Sequence, residues 1–288
     1  MIHAIITMST KTFLHSALLA TLLFVLASSA NATPLYYESF NYAPLDSSLN
    51  GASGGTGFGA NNWSVSGTGS ITNNPAAGLS YSNNSYNLNV AGKAAHLVPT
   101  NTTQLQANRD LGATFGSSTE TTYLSFLINV DEGTRFLGLS LVDTATESLF
   151  IGQGTGFSQW RVSSPVVPGT NSTVAIVQDI SALLVVRIDF NASGTNERVR
   201  LFVNPTLGVA EPGTSDINVL STSSFTVNSL RLWAGYTNGV PTTATGWIDE
   251  VRIGTTWNDV VPATPVPEPS AASILIIGAL FIGLFTRR

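Results

Sequence analysis

Short strand-forming runs recur along this chain between turn signals, and they constrain its fold more than any other feature. Thr122–Val130 (TYLSFLINV), Arg135–Val142 (RFLGLSLV), Leu183–Phe190 (LLVVRIDF), Val199–Asn204 (VRLFVN) and Ser229–Ala234 (SLRLWA) are dominated by Val, Ile, Leu, Phe and Thr. Branched and aromatic side chains of this kind suit a pleated, half-buried surface. Gly-Thr, Asn-Gly and Pro-Gly pairs separate the runs. In Arg198–Val203, strand alternation sends Val199, Leu201 and Val203 to one face and Arg198, Arg200 and Phe202 to the other. No amphipathic helical period of useful length interrupts the pattern. The reading is all-β: one antiparallel β-sandwich domain over residues 33–262.

Composition narrows the setting. Charged residues make up 10% of the 288 positions, against roughly 25% in ordinary soluble proteins. Gly, Ser, Thr and Asn take their place, giving a hydrated but weakly charged surface of the kind common in extracellular β proteins. The formal charge is −5, and about −8 once Lys11, Arg287 and Arg288 are set aside. No basic patch remains, so nucleic acid is excluded as a partner. The absence of Cys removes disulfides, thiolate metal sites and a Cys nucleophile.

The two ends describe one topology. Lys11 precedes an apolar Phe13–Leu26 stretch, and Ala30-Asn31-Ala32 is an A-x-A cleavage pattern. Residues 1–32 are read as a signal peptide, with Met1 or Met8 as the start and Thr33 as the first mature residue. At the other end, residues 263–270 form a Pro-rich linker expected not to pack. Residues 271–286 follow as a short apolar helix, then Arg287 and Arg288 as a basic tail. The uncharged stretch Ala271–Phe285 spans about 22 Å as a helix, short of a hydrocarbon core of about 30 Å. It is a marginal permanent anchor. The terminal arginines stay cytoplasmic by the positive-inside rule, which places the domain outside the inner membrane.

Val266-Pro267-Glu268-Pro269-Ser270, the apolar helix and Arg287-Arg288 resemble the PEP-CTERM sorting signal of exported proteins in Gram-negative bacteria that make extracellular polysaccharide. The resemblance implies an exosortase as processing partner, with Pro267, Glu268 and Pro269 as recognition residues. It also implies transient residence in the inner membrane, then the cell surface or extracellular matrix. The physics agrees, since two prolines keep the segment extended and open to a protease.

Leu35–Val65, Leu201–Pro205 (LFVNP) and Gly246–Trp257 (GWIDEVRIGTTW) together resemble the laminin-G-like, concanavalin A-like jelly rolls. That resemblance implies a first strand paired near the last. It also implies a closing W-I-D-E-V-R-I-G strand beside the next-to-last one.

Chemistry is thin. Alternation in GWIDEVRIG puts Trp247, Asp249 and Val251 on one face and Ile248, Glu250 and Arg252 on the other. The adjacent acids then point apart and do not form a retaining glycosidase pair, and the Glu-x-Asp-x-x-Glu pattern of laminarinase-type hydrolases is absent. Asp249 is expected to bind backbone N–H groups of a neighbouring loop, and Glu250 an exposed Arg. His96 is the one histidine left after processing and has no G-x-S-x-G partner, so no catalytic residue is assigned. No cofactor is implied. Asp131, Glu132, Asp143 and Asp189 offer oxygens for a structural Ca²⁺ without ordered spacing. Gly51–Gly59 reads as a flexible surface loop rather than a phosphate loop. Trp233 and Trp247 are expected in the core. Trp63, Tyr81 and Tyr86, among Asn and Ser, are the candidate sugar-stacking residues.

The expected function is a non-catalytic carbohydrate-binding or structural component of an extracellular matrix, with extracellular polysaccharide as partner. The alternative is a secreted glycoside hydrolase or polysaccharide lyase of jelly-roll fold.

Overall fold

A computed structural model describes residues 33–73, 78–100, 104–191, 194, 196–235 and 244–266. The signal peptide with Ala30 and Ala32, the motif Pro267-Glu268-Pro269, the apolar segment 271–286 and Arg287-Arg288 lie outside these residues.

The runs read from the sequence become strands of two antiparallel sheets. Sheet A runs β15 (Ile217–Leu220), β14 (Arg198–Val203), β13 (Ala182–Asp189), β8 (Thr121–Gly133), β17 (Ala244–Gly254), β6 (Ala95–Pro99) and β3 (Gly69–Asn73). Sheet B runs β12 (Thr170–Ala175), β11 (Gln159–Ser163), β10 (Thr146–Gln153), β9 (Phe136–Asp143), β16 (Val227–Gly235), β7 (Leu105–Phe115) and β2 (Ser64–Gly67). The faces turned toward each other make the main core. Leu124, Phe126, Ile128, Val199, Leu201 and Ile248 come from sheet A, and Leu137, Leu139, Ile151, Val162, Leu230 and Leu232 from sheet B. Each is essentially inaccessible, and burying an aliphatic or aromatic side chain contributes about 1.5–3 kcal/mol. The alternation read over Arg198–Val203 holds: Val199, Leu201 and Val203 enter this core, and Phe202 points away from it.

β1 (Tyr36–Glu38) pairs with β17 through Tyr36↔Ile253 and Glu38↔Val251, as the resemblance implies. The other implication fails. β17 lies between β8 and β6, while the next-to-last long strand β16 belongs to the opposite sheet. β6 and β1 share one edge of β17, taking Gly246–Ile248 and Val251–Ile253 in turn. Between them the register against β8 shifts from Asp249 to Arg252, and Glu250 adopts φ 54°. This is a β-bulge. It adds one residue to the strand, so Ile248 and Val251 both face the core while Asp249 and Glu250 leave it together.

A second, smaller core covers the outer face of sheet A. β4 (Ser82–Asn83), β5 (Tyr86–Leu88) and β18 (Ala263–Pro265) form a three-stranded sheet. A single helical turn, α1 (Trp257–Val260), opens on a capping box between Thr256 and Asp259. Leu88, Trp257, Val260 and Val261 pack there against Leu127, Leu183, Val185 and Phe202. Residues 263–265 therefore do pack, contrary to the expected free linker. The Val266 N–H donates to the Ser85 carbonyl, which holds the chain up to the residue before Pro267. A short apolar stretch becomes a strand when an unpaired edge, here that of β5, is waiting for it.

Candidate functional site

One broad face of the sandwich is covered and the other is open. The small sheet, α1 and their apolar side chains occupy the outer side of sheet A, whereas no described element packs over the outer side of sheet B. Strand alternation places the non-core residues of β2, β7, β16, β9, β10, β11 and β12 on that open side.

Register assembles these residues into rows. Ser66 is opposite Gln106, Gln106 opposite Trp233, Trp233 opposite Gly138, Gly138 opposite Gly152, Gly152 opposite Arg161 and Arg161 opposite Asn171. A parallel row holds Asn108, Arg231, Ser140 and Phe150. The two central glycines are obligatory: a Cβ on Gly138 would lie 2.2 Å from the Ile151 carbonyl oxygen, and one on Gly152 2.3 Å from that of Leu137. They leave a floor of backbone that is itself buried, as are Ser140 and Phe150 beside it. Beside it Trp233 stacks on Phe136, with ring centroids 5.4 Å apart and planes within 4°, and both meet Phe150 edge-on. Trp233 is half-buried, and its Nε1–H is buried without a hydrogen-bond partner.

Polar groups flank the floor. Arg161 Nη1 donates to Asn171 Oδ1 at 2.6 Å, and its guanidinium lies 4.4 Å from the Phe157 ring centroid. Arg231 Nε donates to Asn108 Oδ1 at 2.8 Å and Nη2 to the Ala145 carbonyl at 3.3 Å. Burial lowers the pKa of both guanidiniums. Glu147 accepts from the Ser140 hydroxyl at 2.8 Å, and burial pushes its carboxyl above the usual range. The nearest second acid of this face on the far side of the floor is Asp110, three strands away along Asp110–Ser229–Val142–Glu147. Three inter-strand steps make about 14 Å, beyond the roughly 5–9.5 Å between the two carboxyls of a glycosidase.

Two clefts accompany this face, one away from it and one at its edge, reaching Glu147. One of about 520 Å³ is lined by Arg187, Arg200, Phe202, Glu211 and Asn218. Its charges satisfy each other: Arg187 pairs with Asp189 and Glu211, and Arg200 with Asp189. The other, of about 530 Å³, lies at one end of the sandwich among Asp143, Glu147, Asn191 and Thr226. There Asp143 is engaged by Thr144, Thr226 and Asn228.

The sequence-derived candidates fall elsewhere. Trp63 is 1% exposed and sits in the main core, donating from Nε1 to Glu38 at 3.2 Å and to the Tyr42 hydroxyl at 3.1 Å; it cannot stack on a sugar. Tyr81 and Tyr86 are half-buried against the second core. The Tyr81 hydroxyl donates to the Pro205 carbonyl and accepts from Asn83, and the Tyr86 ring covers Gly208. The two tryptophans expected in the core, Trp233 and Trp247, are half-buried on outer faces. The sequence reading thus placed Trp63 on the surface and Trp233 and Trp247 in the core, whereas Trp63 is buried and the other two are half-buried like Tyr81 and Tyr86, because alternation fixes faces but not which face is covered. Mid-strand glycines in RFLGLSLV and LFIGQG were the available signal for the open face, since glycine inside a strand marks close backbone approach.

The expectation for Asp249 and Glu250 is half met. Asp249 accepts backbone N–H groups from Leu79 at 2.8 Å and Glu250 at 2.7 Å, as expected. The bulge, however, puts both acids on the same side of the sheet, and the partner of Glu250 is Arg252, which is buried. Tyr37 and the Ala91 N–H also donate to Glu250. Burial and the Glu250 charge push Asp249 up to about 9. The group is sealed beneath residues 78–92 and pins that segment. His96 stacks on Trp247 at 3.7 Å with Nε2 3.5 Å from Asp131, and burial lowers its pKa. Asp131, Glu132, Asp143 and Asp189 do not converge: no cluster of three or more potential metal ligands occurs among the described residues.

The Gly51–Gly59 loop is held rather than free. Phe58 is buried, Tyr37 and Thr56 exchange backbone hydrogen bonds, and Arg109 Nη2 donates to the Gly54 carbonyl at 2.6 Å.

No protein-family model matches the chain, and no curated protein matches it. Among solved structures it is similar to an endo-β-1,4-glucuronan lyase from the fungus Trichoderma reesei. The identity is 14% and the TM-score 0.47, covering 80% of this chain and 99% of that one. It is also similar to domain 4 of AbnA, a GH43 extracellular arabinanase from Geobacillus stearothermophilus, in complex with arabinotriose. There the identity is 15% and the TM-score 0.43, with coverage of 80% and 97%. An endo-1,3-β-glucanase from Streptomyces sioyaensis follows at 12% identity and TM-score 0.39, with coverage of 79% and 97%. At these values the likeness bears on neither ligand nor activity.

Proposed function

We propose that this protein is an exported, non-catalytic carbohydrate-binding component of the cell surface or extracellular matrix, with a concanavalin A-like jelly roll, and that the open face of sheet B is its binding surface. One observation carries the reading. The face of sheet B bears a half-buried aromatic stack, Trp233 on Phe136, with amides and guanidiniums at its borders. Sugars present apolar C–H faces ringed by hydroxyls, and such a surface meets both.

Sorting by an exosortase, with Pro267, Glu268 and Pro269 as its recognition residues and transient residence in the inner membrane, belongs to the same proposal. It rests on the sequence of the two ends.

The test incubates the protein with extracellular polysaccharide and measures co-sedimentation and new reducing ends together. Binding that is lost on Trp233→Ala, without new ends, supports the reading. New reducing ends convert it to the hydrolase or lyase, and an unchanged Trp233→Ala variant moves the site elsewhere.

A further inference from the structure

We infer that the open face of sheet B selects acidic polysaccharide, whose carboxylate or sulfate groups pair with Arg161 and Arg231. This deepens the proposed carbohydrate reading and rests on it.

The distinction lies in how the arginines are partnered. Arg109, Arg187, Arg200 and Arg252 each have a carboxylate within 4 Å. Arg161 and Arg231, with Arg198 on sheet A, form no such ion pair among the described residues; Arg161 and Arg231 are the two on sheet B. Their donors go to the amide oxygens of Asn171 and Asn108 and to the Ala145 carbonyl. Neutral acceptors orient a guanidinium without cancelling its charge, and its remaining donors match a planar carboxylate or a sulfate oxygen pair.

Arg161 is placed by construction. Any side chain on Gly169 would put a Cβ 1.7 Å from its Nη2, one on Gly154 would lie 2.8 Å from its Cδ, and Phe157 underlies the guanidinium. Partial burial makes both charges costly to leave without a counter-charge. The competing acid is Glu147, which bonds to the Ser140 hydroxyl; its charge acts on Arg231 without a direct ion pair and offsets part of the cost of burying that guanidinium. The other acids on these strands are Asp110, exposed and turned to the Gly112 N–H, and Asp143 at the end of β9, which accepts from Thr144, Thr226 and Asn228.

The spacing calls for a polymer. Arg161 on β11 and Arg231 on β16 are separated by β10 and β9, about 14 Å across the strands, with the glycine floor and the Trp233–Phe136 stack between them. That span exceeds one sugar ring, so a chain crossing the strands reaches both charges while its rings pass the half-buried Trp233–Phe136 stack. The protein as a whole carries −5 and repels acidic polymers. Retention of one therefore requires a local positive site.

The experiment measures retention of the full chain, in mild non-ionic detergent, on immobilised polygalacturonate and on the fully methyl-esterified polymer, which keeps the backbone without the charge. Dextran sulfate and dextran form a second pair. Expected is retention on at least one charged polymer, weakened about tenfold when its charge is absent or when Arg161→Gln or Arg231→Gln is introduced, and declining with salt. Urea midpoints of the variants confirm that they fold. Equal retention on charged and neutral members, or Gln variants that bind the charged polymer like the parent, overturns the inference and leaves the carbohydrate reading standing. Retention of none of the four polymers overturns the inference. If Trp233→Ala then also leaves co-sedimentation with native polysaccharide unchanged, the carbohydrate reading falls separately.

Discussion

Replacing Arg109 with Met should cost about 3–5 kcal/mol, because it leaves a carboxylate buried without its counter-charge. Arg109 projects from β7 into the main core and pairs there with Glu38 of β1, joining sheet B to sheet A; the two side chains are 0% and 1% exposed. Glu38 also receives the Phe40 N–H at 2.7 Å, the Trp63 Nε1–H and the Tyr42 hydroxyl. Arg109 in turn donates to the Gly54 and Asn61 carbonyls and lies 3.9 Å from the Phe58 ring centroid. Met fills much of the stem's volume, so the loss is electrostatic and not a cavity. The double variant Glu38→Leu/Arg109→Met removes both charges, and apolar replacement of a buried pair is often near neutral. What remains is the loss of donors to two loop carbonyls and of an acceptor for the Phe40 N–H, the Tyr42 hydroxyl and the Trp63 indole, roughly 1 kcal/mol each. The double variant should therefore lose less than the sum of the two single variants. Urea denaturation with an unchanged m-value is the assay, and for a domain of this size each kcal/mol moves Tm by about 2–4 °C. A single-variant loss below about 1 kcal/mol, or a double-variant loss equal to the sum of both singles, would refute the claim that this pair is a coupled buried unit.

Asp249 holds a proton in the folded state up to about 9, whereas an unfolded Asp releases it near pH 4. Stability should fall as pH rises across that window, with Glu250, Asp131 and Glu147 acting in the same direction and His96 in the opposite one. Asp249→Asn should flatten the slope of urea midpoint against pH between 5 and 9, and an unchanged slope would show that this carboxyl is ionised in the fold. Gly138→Ala forces a Cβ to within 2.2 Å of the Ile151 carbonyl, so the β9–β10 ladder must part; the expected loss is about 1–3 kcal/mol, with faster amide exchange confined to those strands. Trp257→Ala empties the second core between Tyr123 and Phe202. It should cost about 3–5 kcal/mol while leaving polysaccharide binding at the opposite face intact below the unfolding midpoint.

Much of the fold was legible because strands announce themselves locally. Each of the five runs read from composition lies within one residue of a strand of the sandwich, and the inward set Val199, Leu201 and Val203 follows directly from a period of two. The candidate site was not legible in the same way. Trp233 reads as a core residue in SLRLWA because its neighbours Leu232 and Ala234 are buried. Its ring belongs to the alternate face, and a sequence does not say whether another element lies over that face. Arg161 and Arg231 look like ordinary solvated charges until register places them at the two borders of one floor.

By itself, then, the sequence determined the all-β class, the strand positions and the alternation within each strand, since these depend on residues a few positions apart. Tertiary structure decided three further things. The bulge at Asp249–Glu250 brought two acids to one side because β6 and β1 must share one edge of β17. Trp63 went inside because Glu38 and the Tyr42 hydroxyl accept from its indole N–H, and Arg109 of the opposite sheet holds both acceptors in place. The open face belongs to sheet B because β5, β18 and α1 pack on sheet A. Each of these is a contact between segments far apart in the chain, and short-range periodicity carries no information about such contacts.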